Sequence, residues 1–217
     1  MRIVVVASGG LGPGDERWLD RADLVVAADG GAGSIDRLGR RPDQLVGDLD
    51  SIDPGLADRL ATDGVAVERH PADKDASDTE LAIERARQAG ATEIVVLGAV
   101  GGTRLDHELA NLLLLADPAL AGCPIRMVRG RTTVRAMHAA ERLVLDARIG
   151  DVVSLLPIGG SASGVTTDGL RWALAGATLE MGRSRGLSNE VVAPPASVRL
   201  EGGTLLVVET STEGATS

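Results

Sequence analysis

Short apolar runs alternate with longer, helix-like stretches through the first 130 residues of the chain. This alternation is typical of β-α units around a mostly parallel sheet. A helix is expected to begin at Ser77, because Ser77 and Glu80 have the spacing of a capping box. A second is expected over about 106–115, before Pro118, which cannot continue it. The apolar runs, each predicted to be a strand, lie at 3–7, 24–28, 45–46, 65–68, 94–97 and 125–128.

The pattern changes after about residue 130. The apolar runs become shorter and often β-branched, and Gly, Ser, Asp and Pro separate them, which is typical of an antiparallel β-sandwich. We therefore predict an α/β protein with two domains, a Rossmann-like one over 1–130 and a β-sandwich over 131–217. The predicted strands of the second domain lie at 132–137, 142–146, 151–156, 170–174, 177–181, 197–200 and 204–209.

Composition narrows the class of partner. The formal net charge is −9, without a stripe of Lys or Arg, so neither nucleic acid nor an anionic membrane is an expected partner. The chain contains no run of about 18 apolar residues, the length that a membrane-spanning helix needs. Its first residues already form a strand-like run, which leaves no room for a signal peptide. With Cys123 as its one cysteine, we expect a cytoplasmic protein without an intrachain disulfide.

Candidate chemistry follows four of the predicted strands. Acidic or glycine-rich segments lie at 29–31, 47–51, 73–78 and 98–107. In a parallel sheet, ligands bind beyond the carboxyl ends of the strands, so these segments are expected at one edge. Their carboxylates would repel one another without a cation, and Mg²⁺ with ATP is the expected occupant, since Mg²⁺ prefers a few carboxylates plus phosphate oxygens.

Each acidic residue also has a simpler interpretation. Asp48 and Asp50 lie two residues apart, so an extended backbone would direct both towards one cation, yet this spacing is also common in solvated turns. Asp75 and Asp78 lie near a helix start, where capping residues are frequent. Lys74 is either a surface ion-pair partner of neighbouring acids or a phosphate contact, and we favour the phosphate.

Two further features each have two interpretations. A single histidine is usually structural, but His107 lies four residues before Asn111, so both share the face of the predicted helix that is directed towards the strand loops and could belong to the site. Trp172 is either a core residue or a flat platform for a cationic aromatic ligand.

Six segments stand out in order along the chain: ADGGA at 28–32, GDLDS at 47–51, KDASD at 74–78, GTRLDH at 102–107, SGVTT at 163–167 and SNE at 188–190. Taken together, they resemble the signatures of the thiamine pyrophosphokinase family. Ser77 stands where that family often has Thr, and Val191 where it often has Phe; the first keeps a hydroxyl, and the second alters packing without removing the chemistry.

This resemblance implies an enzyme that transfers diphosphate from ATP to the hydroxyethyl group of thiamine, giving thiamine diphosphate and AMP. Domain 1–130 would be catalytic and bind ATP and Mg²⁺, domain 131–217 would bind thiamine, and a homodimer would combine both subunits at each active site. Asp48, Asp50, Asp75, Asp78 and Asp106 would be catalytic. The first four would hold Mg²⁺, and Asp106, near the reacting groups, or an adjacent carboxylate would be the candidate acceptor of the hydroxyl proton.

The remaining predicted contacts fall into two sets. ATP would be bound by Asp29, Gly30, Ser51, Lys74, Gly102, Arg104, His107 and Asn111. Thiamine would be bound by Thr166, Trp172, Ser188 and Asn189.

Two other functions remain open at the level of sequence. A 6-hydroxymethylpterin diphosphokinase would perform the same transfer on another acceptor, although segments 163–172 and 188–189 favour thiamine. A noncatalytic nucleotide-binding regulatory module would keep the first domain without catalysis, and the complete acidic set argues against it.

Overall fold

The computed structural model describes residues 1–212, so the last five residues of the predicted second domain lie outside the described residues. The chain divides into two compact units. The first comprises Met1–Leu114 and Cys123–Gly130, and the second comprises Leu115–Gly122 and the chain from Arg131 onward. Within residues 1–212, no helix combines the length and apolar character that crossing a membrane requires.

The first unit is built on six parallel strands in the order β4-β3-β2-β1-β5-β6. Each predicted apolar run of this unit is a strand, which confirms the parallel part of the fold. Strand β1 lies between β2 and β5, so the chain order reverses there and a crevice is expected beyond the carboxyl ends. The strands are β1 Arg2–Val6, β2 Leu24–Ala28, β3 Gln44–Gly47, β4 Ala66–Arg69, β5 Glu93–Leu97 and β6 Ile125–Arg129.

Five α-helices accompany this sheet, and two of them were predicted. In α4 the Ser77 hydroxyl accepts a hydrogen bond from the Glu80 amide at 3.2 Å, as the capping pattern requires. In α3 the Asp53 carboxylate accepts from the Leu56 amide at 3.0 Å. The helices are α1 Glu16–Leu19, α2 Gly31–Arg37, α3 Pro54–Thr62, α4 Asp78–Gln88 and α5 Leu105–Leu114.

The core of the first unit forms around the central strands. Residues 3–6 of β1 and 94–97 of β5 are fully buried, as expected of parallel strands covered on both faces. On one face of the sheet, Leu45 of β3 and the helix residues Ile35 and Leu60 belong to one hydrophobic cluster with Val4, Val6, Val95 and Leu97. A rigid sheet of this kind fixes the loops that leave its carboxyl edge.

The second unit is antiparallel, which confirms the predicted α/β class with antiparallel strands in the second half. Its main strand order is β7-β13-β9-β12-β8, and β10 and β11 also pair with β9. A short 3₁₀ turn, Pro118–Leu120, also belongs to this unit. The strands are β7 Thr132–Met137, β8 Arg142–Val144, β9 Val152–Asp168, β10 Ala177–Leu179, β11 Asn189–Glu190, β12 Ser197–Arg199 and β13 Gly202–Thr210.

One predicted strand of this unit is wrong. Segment 170–174 is not a strand, because only Leu170 forms a bridge, to Val191. The Leu174 amide instead donates to the Thr167 hydroxyl at 2.9 Å, which closes a loop. Conversely, β9 continues through 163–168, a segment that looked like a polar cluster in the sequence.

Candidate active site

A cavity of about 520 Å³ lies in the first unit, formed by the loops after β1, β2, β3, β4 and β5 and by residues of α4 and α5. Its position at the carboxyl ends of the strands is the one expected for a ligand site in this topology. Ten of the predicted site residues line it: Asp29, Asp48, Asp50, Ser51, Lys74, Asp78, Gly102, Arg104, His107 and Asn111.

Three predicted residues of the first unit do not line this cavity. Gly30 caps the start of α2. Asp75 is exposed to solvent. The Asp106 carboxylate is also exposed and pairs with Arg104 at 3.0 and 2.6 Å. That guanidinium holds the pKa of Asp106 well below its usual range.

Three carboxylates meet at the acidic wall of the cavity. Asp29, Asp48 and Asp78 each contribute an oxygen, and these oxygens lie within 4.8 Å of one another. Asp29 follows β2, Asp48 follows β3, and Asp78 begins α4, so the parallel sheet and one helix start bring them together. We call these three residues the acidic cluster.

Gly47 allows the cluster to be this compact. Its φ of 148° lies in the region that favours glycine. A Cβ at this position would lie 3.0 Å from the Asp29 Cβ and 3.1 Å from the Asp78 Oδ1. Any larger residue would therefore push the carboxylates apart.

Asp29 is the buried member of the cluster, with 3% of its surface exposed. The pKa of Asp29 is raised, mainly by burial and further by the neighbouring Asp78 and Asp48 carboxylates. Hydrogen bonds from Gly30 and Ser51 lower it, but they do not outweigh the burial. Its Oδ1 has no hydrogen-bond partner within residues 1–212. A buried, unsatisfied carboxylate oxygen beside two other carboxylates is a donor set that fits a divalent cation.

Lys74 supplies positive charge directly to this cluster. Its Nζ lies 3.0 Å from the Asp48 Oδ2 and 3.1 Å from the Asp78 Oδ1. Lys74 therefore pairs with Asp48 and Asp78 of the cluster, not with its neighbours Asp73 and Asp75. The hydrogen bond from Lys74 and another from the Asp50 amide lower the pKa of Asp48.

The fold therefore brings together only two of the four predicted metal ligands. Asp48 and Asp78 belong to the acidic cluster, whereas Asp50 and Asp75 lie outside it. Asp50 still lines the cavity, where its carboxylate accepts a hydrogen bond from the Ser51 hydroxyl at 2.8 Å. Asp29, predicted as an ATP contact, is the third member of the cluster, because the close approach at Gly47 brings it near the others.

The loops after β1 and β5 also line the cavity. The Gly9 amide donates to the Gly98 carbonyl at 2.9 Å, and a Cβ on Gly9 would lie 2.2 Å from that oxygen. The Asn111 side chain donates to the Ala99 carbonyl at 2.8 Å, which ties α5 to the loop after β5. Ser8 and Glu108 also line the cavity. Neither was assigned from sequence, although Ser8 lies two residues past β1, where a ligand contact is expected.

The predicted thiamine contacts belong to the second unit. Trp172 is 59% exposed, so it is not a core residue. Buried Asn189 accepts from the Trp172 amide at 3.1 Å and donates to its carbonyl at 2.8 Å. The Ser188 amide donates to the Ser154 hydroxyl at 3.0 Å, and the Thr166 hydroxyl accepts from the Gly176 amide at 3.0 Å.

Comparison with known proteins assigns a family to this arrangement. A family model described as "Thiamin pyrophosphokinase, catalytic domain" matches residues 16–127, and one described as "Thiamin pyrophosphokinase, vitamin B1 binding domain" matches 141–205. The chain belongs to the thiamin pyrophosphokinase family. Membership confirms the predicted family and enzyme class, and it gives no support to the pterin diphosphokinase or to the regulatory module.

Individual members of the thiamin pyrophosphokinase family agree with this assignment. The chain is 30% identical over 207 residues to Thiamine pyrophosphokinase 3 of Oryza sativa subsp. japonica, covering 81% of this chain and 73% of that protein. The crystal structure of Thiamin pyrophosphokinase from Geobacillus thermodenitrificans matches with a TM-score of 0.81 and 29% identity, covering 99% of both chains. The Bacillus subtilis enzyme matches with a TM-score of 0.84 and 23% identity, covering 98% of this chain and 100% of that one, which supports the fold alone.

Proposed function

We propose that this protein transfers the diphosphate group of ATP to the hydroxyethyl oxygen of thiamine, releasing AMP. Family membership supports the reaction, and the two family models cover a catalytic and a vitamin B1 binding part. The observation in the structure that carries the proposal is the acidic cluster, with Lys74 against it, at the carboxyl edge of a parallel sheet. Such a site suits a metal-bound triphosphate.

We further propose Mg²⁺ as the metal. Asp29, Asp48 and Asp78 would hold it, with Asp50 near by on the same cavity wall. When bound, Mg²⁺ neutralises the negative charge of phosphate oxygens and so favours attack on phosphorus. The exposed Asp75 is the least suited of the predicted ligands.

The residues of the chain would contribute mainly by positioning and charge, because phosphoryl-type transfers need no covalent nucleophile. Lys74 would bind a phosphate oxygen as a mobile point charge. Gly102, Arg104, His107 and Ser51 would contact the nucleotide from the cavity wall. Asn111 would act indirectly, because its amide already holds the loop after β5.

Asp106 is a poor proton acceptor in this arrangement. Its exposed carboxylate pairs with Arg104, which holds its pKa well below the usual range. We propose that Asp106 positions the Arg104 guanidinium at the cavity and does not remove the thiamine proton.

In the second unit we propose Trp172, Ser188, Asn189 and Thr166 as the thiamine site. The exposed indole offers a flat, electron-rich face, which suits the fixed positive charge of the thiazolium ring. Buried Asn189 would hold the Trp172 backbone in place through its two hydrogen bonds.

The activity is tested by incubating the protein with ATP, Mg²⁺ and either thiamine or 6-hydroxymethylpterin, with detection of AMP and product by mass. We expect a diphosphorylated product with thiamine as the acceptor and none with 6-hydroxymethylpterin. Asp48→Asn should lower kcat by at least about 100-fold, since it removes an anionic ligand from the cluster.

Asp36→Asn is the matched control, because Asp36 is exposed and pairs with Arg59 away from the cavity. It should keep near wild-type kcat, and both variants should keep the wild-type circular dichroism spectrum. Near wild-type turnover by folded Asp48→Asn would refute the metal assignment.

The homodimer is also a proposal, supported by the resemblance to the family. If each active site combines the first unit of one subunit with the second unit of its partner, Asp48→Asn and Trp172→Ala should complement each other. If equal amounts of the two variants are unfolded and refolded together, random pairing makes about half of the dimers mixed. One of the two sites in each mixed dimer is intact, so the mixture should have about a quarter of the wild-type activity. Light scattering checks the mass, and an inactive mixture would contradict shared sites.

A further inference from the structure

We infer that Lys74 is an internal counter-cation of the acidic cluster, which competes with the metal and makes metal and nucleotide bind cooperatively. The inference rests on the proposed function, because it concerns the same cavity. It assigns Lys74 a role before the nucleotide arrives, in addition to its proposed phosphate contact.

The geometry places the Lys74 ammonium between two members of the cluster. Its Nζ lies 3.0 Å from one Asp48 oxygen and 3.1 Å from one Asp78 oxygen, and the side chains of Lys74 and Asp48 are only 15% and 14% exposed. Ion pairs with this little solvent are screened less than surface pairs. The ammonium therefore occupies the same carboxylates that would hold the metal.

The other cation that lines the cavity is engaged elsewhere. Arg104 makes a bidentate pair with Asp106, which lies outside the acidic cluster. Among the described residues that line the cavity, Lys74 alone forms an ion pair with the cluster.

Lys74 can also leave the cluster. It lies in the segment between the end of β4 at Arg69 and the start of α4 at Asp78, and a four-carbon stem carries its ammonium. A triphosphate in the cavity would offer that ammonium other anionic oxygens within its reach. Nucleotide would thus release Asp48 and Asp78 to the metal, and each ligand would tighten the binding of the other.

The first test measures Mn²⁺ binding without nucleotide by electron paramagnetic resonance. Lys74→Met removes the competitor, and we expect it to bind Mn²⁺ about tenfold more tightly than the wild type. Arg85→Met is the control for net charge, because Arg85 pairs with Glu68 and does not line the cavity. If Lys74→Met binds Mn²⁺ no more tightly than Arg85→Met, the inference is wrong.

Two further comparisons, one with a second variant and one with an added nucleotide, use the same Mn²⁺-binding measurement. Lys74→Arg keeps the charge and should stay within about twofold of the wild-type affinity for Mn²⁺. A nonhydrolysable ATP analogue should strengthen Mn²⁺ binding more in the wild type than in Lys74→Met, because only the wild type has an ammonium to displace. Equal strengthening in both proteins would contradict the proposed coupling.

The second test needs no variant, because Lys74 is the only lysine of the chain. Protein labelled with ¹³C-lysine gives a single Cε signal, which should shift when Mg²⁺ saturates the cluster and shift again when the ATP analogue is added. A signal unchanged by saturating Mg²⁺ would overturn the inference. The thiamine diphosphate assay on the same preparations reports the proposed function separately.

Discussion

At the scale of single residues, Asp29 shows a conflict between stability and function. Its carboxylate is buried, one oxygen lacks a hydrogen-bond partner within residues 1–212, and two other carboxylates lie close by. Burying a charge without a partner is unfavourable, and burial accordingly raises its pKa. A residue that is costly to the metal-free fold and lies at a ligand cavity is expected to serve the ligand.

Asp29→Asn therefore has opposite expected effects on stability and activity. In metal-free buffer its melting temperature should equal or exceed that of the wild type, because the amide removes a buried charge. Its kcat for thiamine diphosphate formation should fall by at least about 100-fold, since an anionic donor to the metal is lost. Differential scanning calorimetry and the AMP assay check the two effects, and a marked loss of stability with retained activity would contradict the assignment.

The sequence predicted every charged or titratable residue that lines the cavity except Glu108, but not how they group. Asp48 and Lys74 were found because they belong to loops after apolar strands. Asp29 was placed with the nucleotide contacts, since its part in the cluster depends on the close approach at Gly47, which no local pattern reports. Asp75 was placed among the metal ligands because sequence spacing does not show which carboxylates of an irregular segment face solvent.

At the scale of elements, α4 links local stability to the site, because its first residue, Asp78, belongs to the acidic cluster. Ser77 caps this helix through the Glu80 amide. The start of α4 is thus fixed one residue before a predicted metal ligand.

Ser77→Ala should lower the free energy of unfolding by about 1 kcal/mol, the usual contribution of an N-cap hydroxyl. Urea denaturation followed by circular dichroism measures the change. Ser77→Thr keeps the hydroxyl and should stay within about 0.5 kcal/mol of the wild type. Equal stability of all three proteins would show that the cap contributes nothing here.

Prediction of the elements was most successful where burial is complete. Residues 3–6 of β1 and 94–97 of β5 are apolar on both faces, so each appears as a continuous run. Helix α2 was missed because its first turns, Gly31-Ala32-Gly33-Ser34, are poor in strong helix formers. Segment 170–174 was predicted to be a strand because its apolar residues suggest one, but its hydrogen bonds close a loop around Thr167.

At the scale of the whole molecule, the last described residues are tied to the second unit through Asp151. Its Oδ2 accepts from the Arg148 amide at 2.8 Å and its Oδ1 from the Thr212 amide at 2.9 Å. Burial raises the pKa of Asp151, but these hydrogen bonds and others from Ser211 and Thr212 outweigh burial and leave it below the ordinary value.

A lowered pKa in the folded state means that ionised Asp151 stabilises the fold. This contribution is complete above the ordinary pKa of 3.8 and is lost as the pH falls through the lower, folded value. Asp151→Asn should therefore melt below the wild type at about pH 7, and the difference should shrink towards about pH 3. Thermal unfolding at a series of pH values checks this, and a difference independent of pH would contradict it.

Strand β9 has a consequence for the second unit as a whole. Four other strands pair along its 17 residues. Strands β11 and β13 flank it at 152–153, and β13 continues to 158, whereas β10 pairs within 162–165 and β12 within 166–168. A proteolytic cut within β9 would separate its pairings with β13 and β11 from those with β12. We therefore expect this unit to open cooperatively, because neither 152–158 nor 162–168 of β9 can leave the structure without exposing the backbone groups of a neighbouring strand.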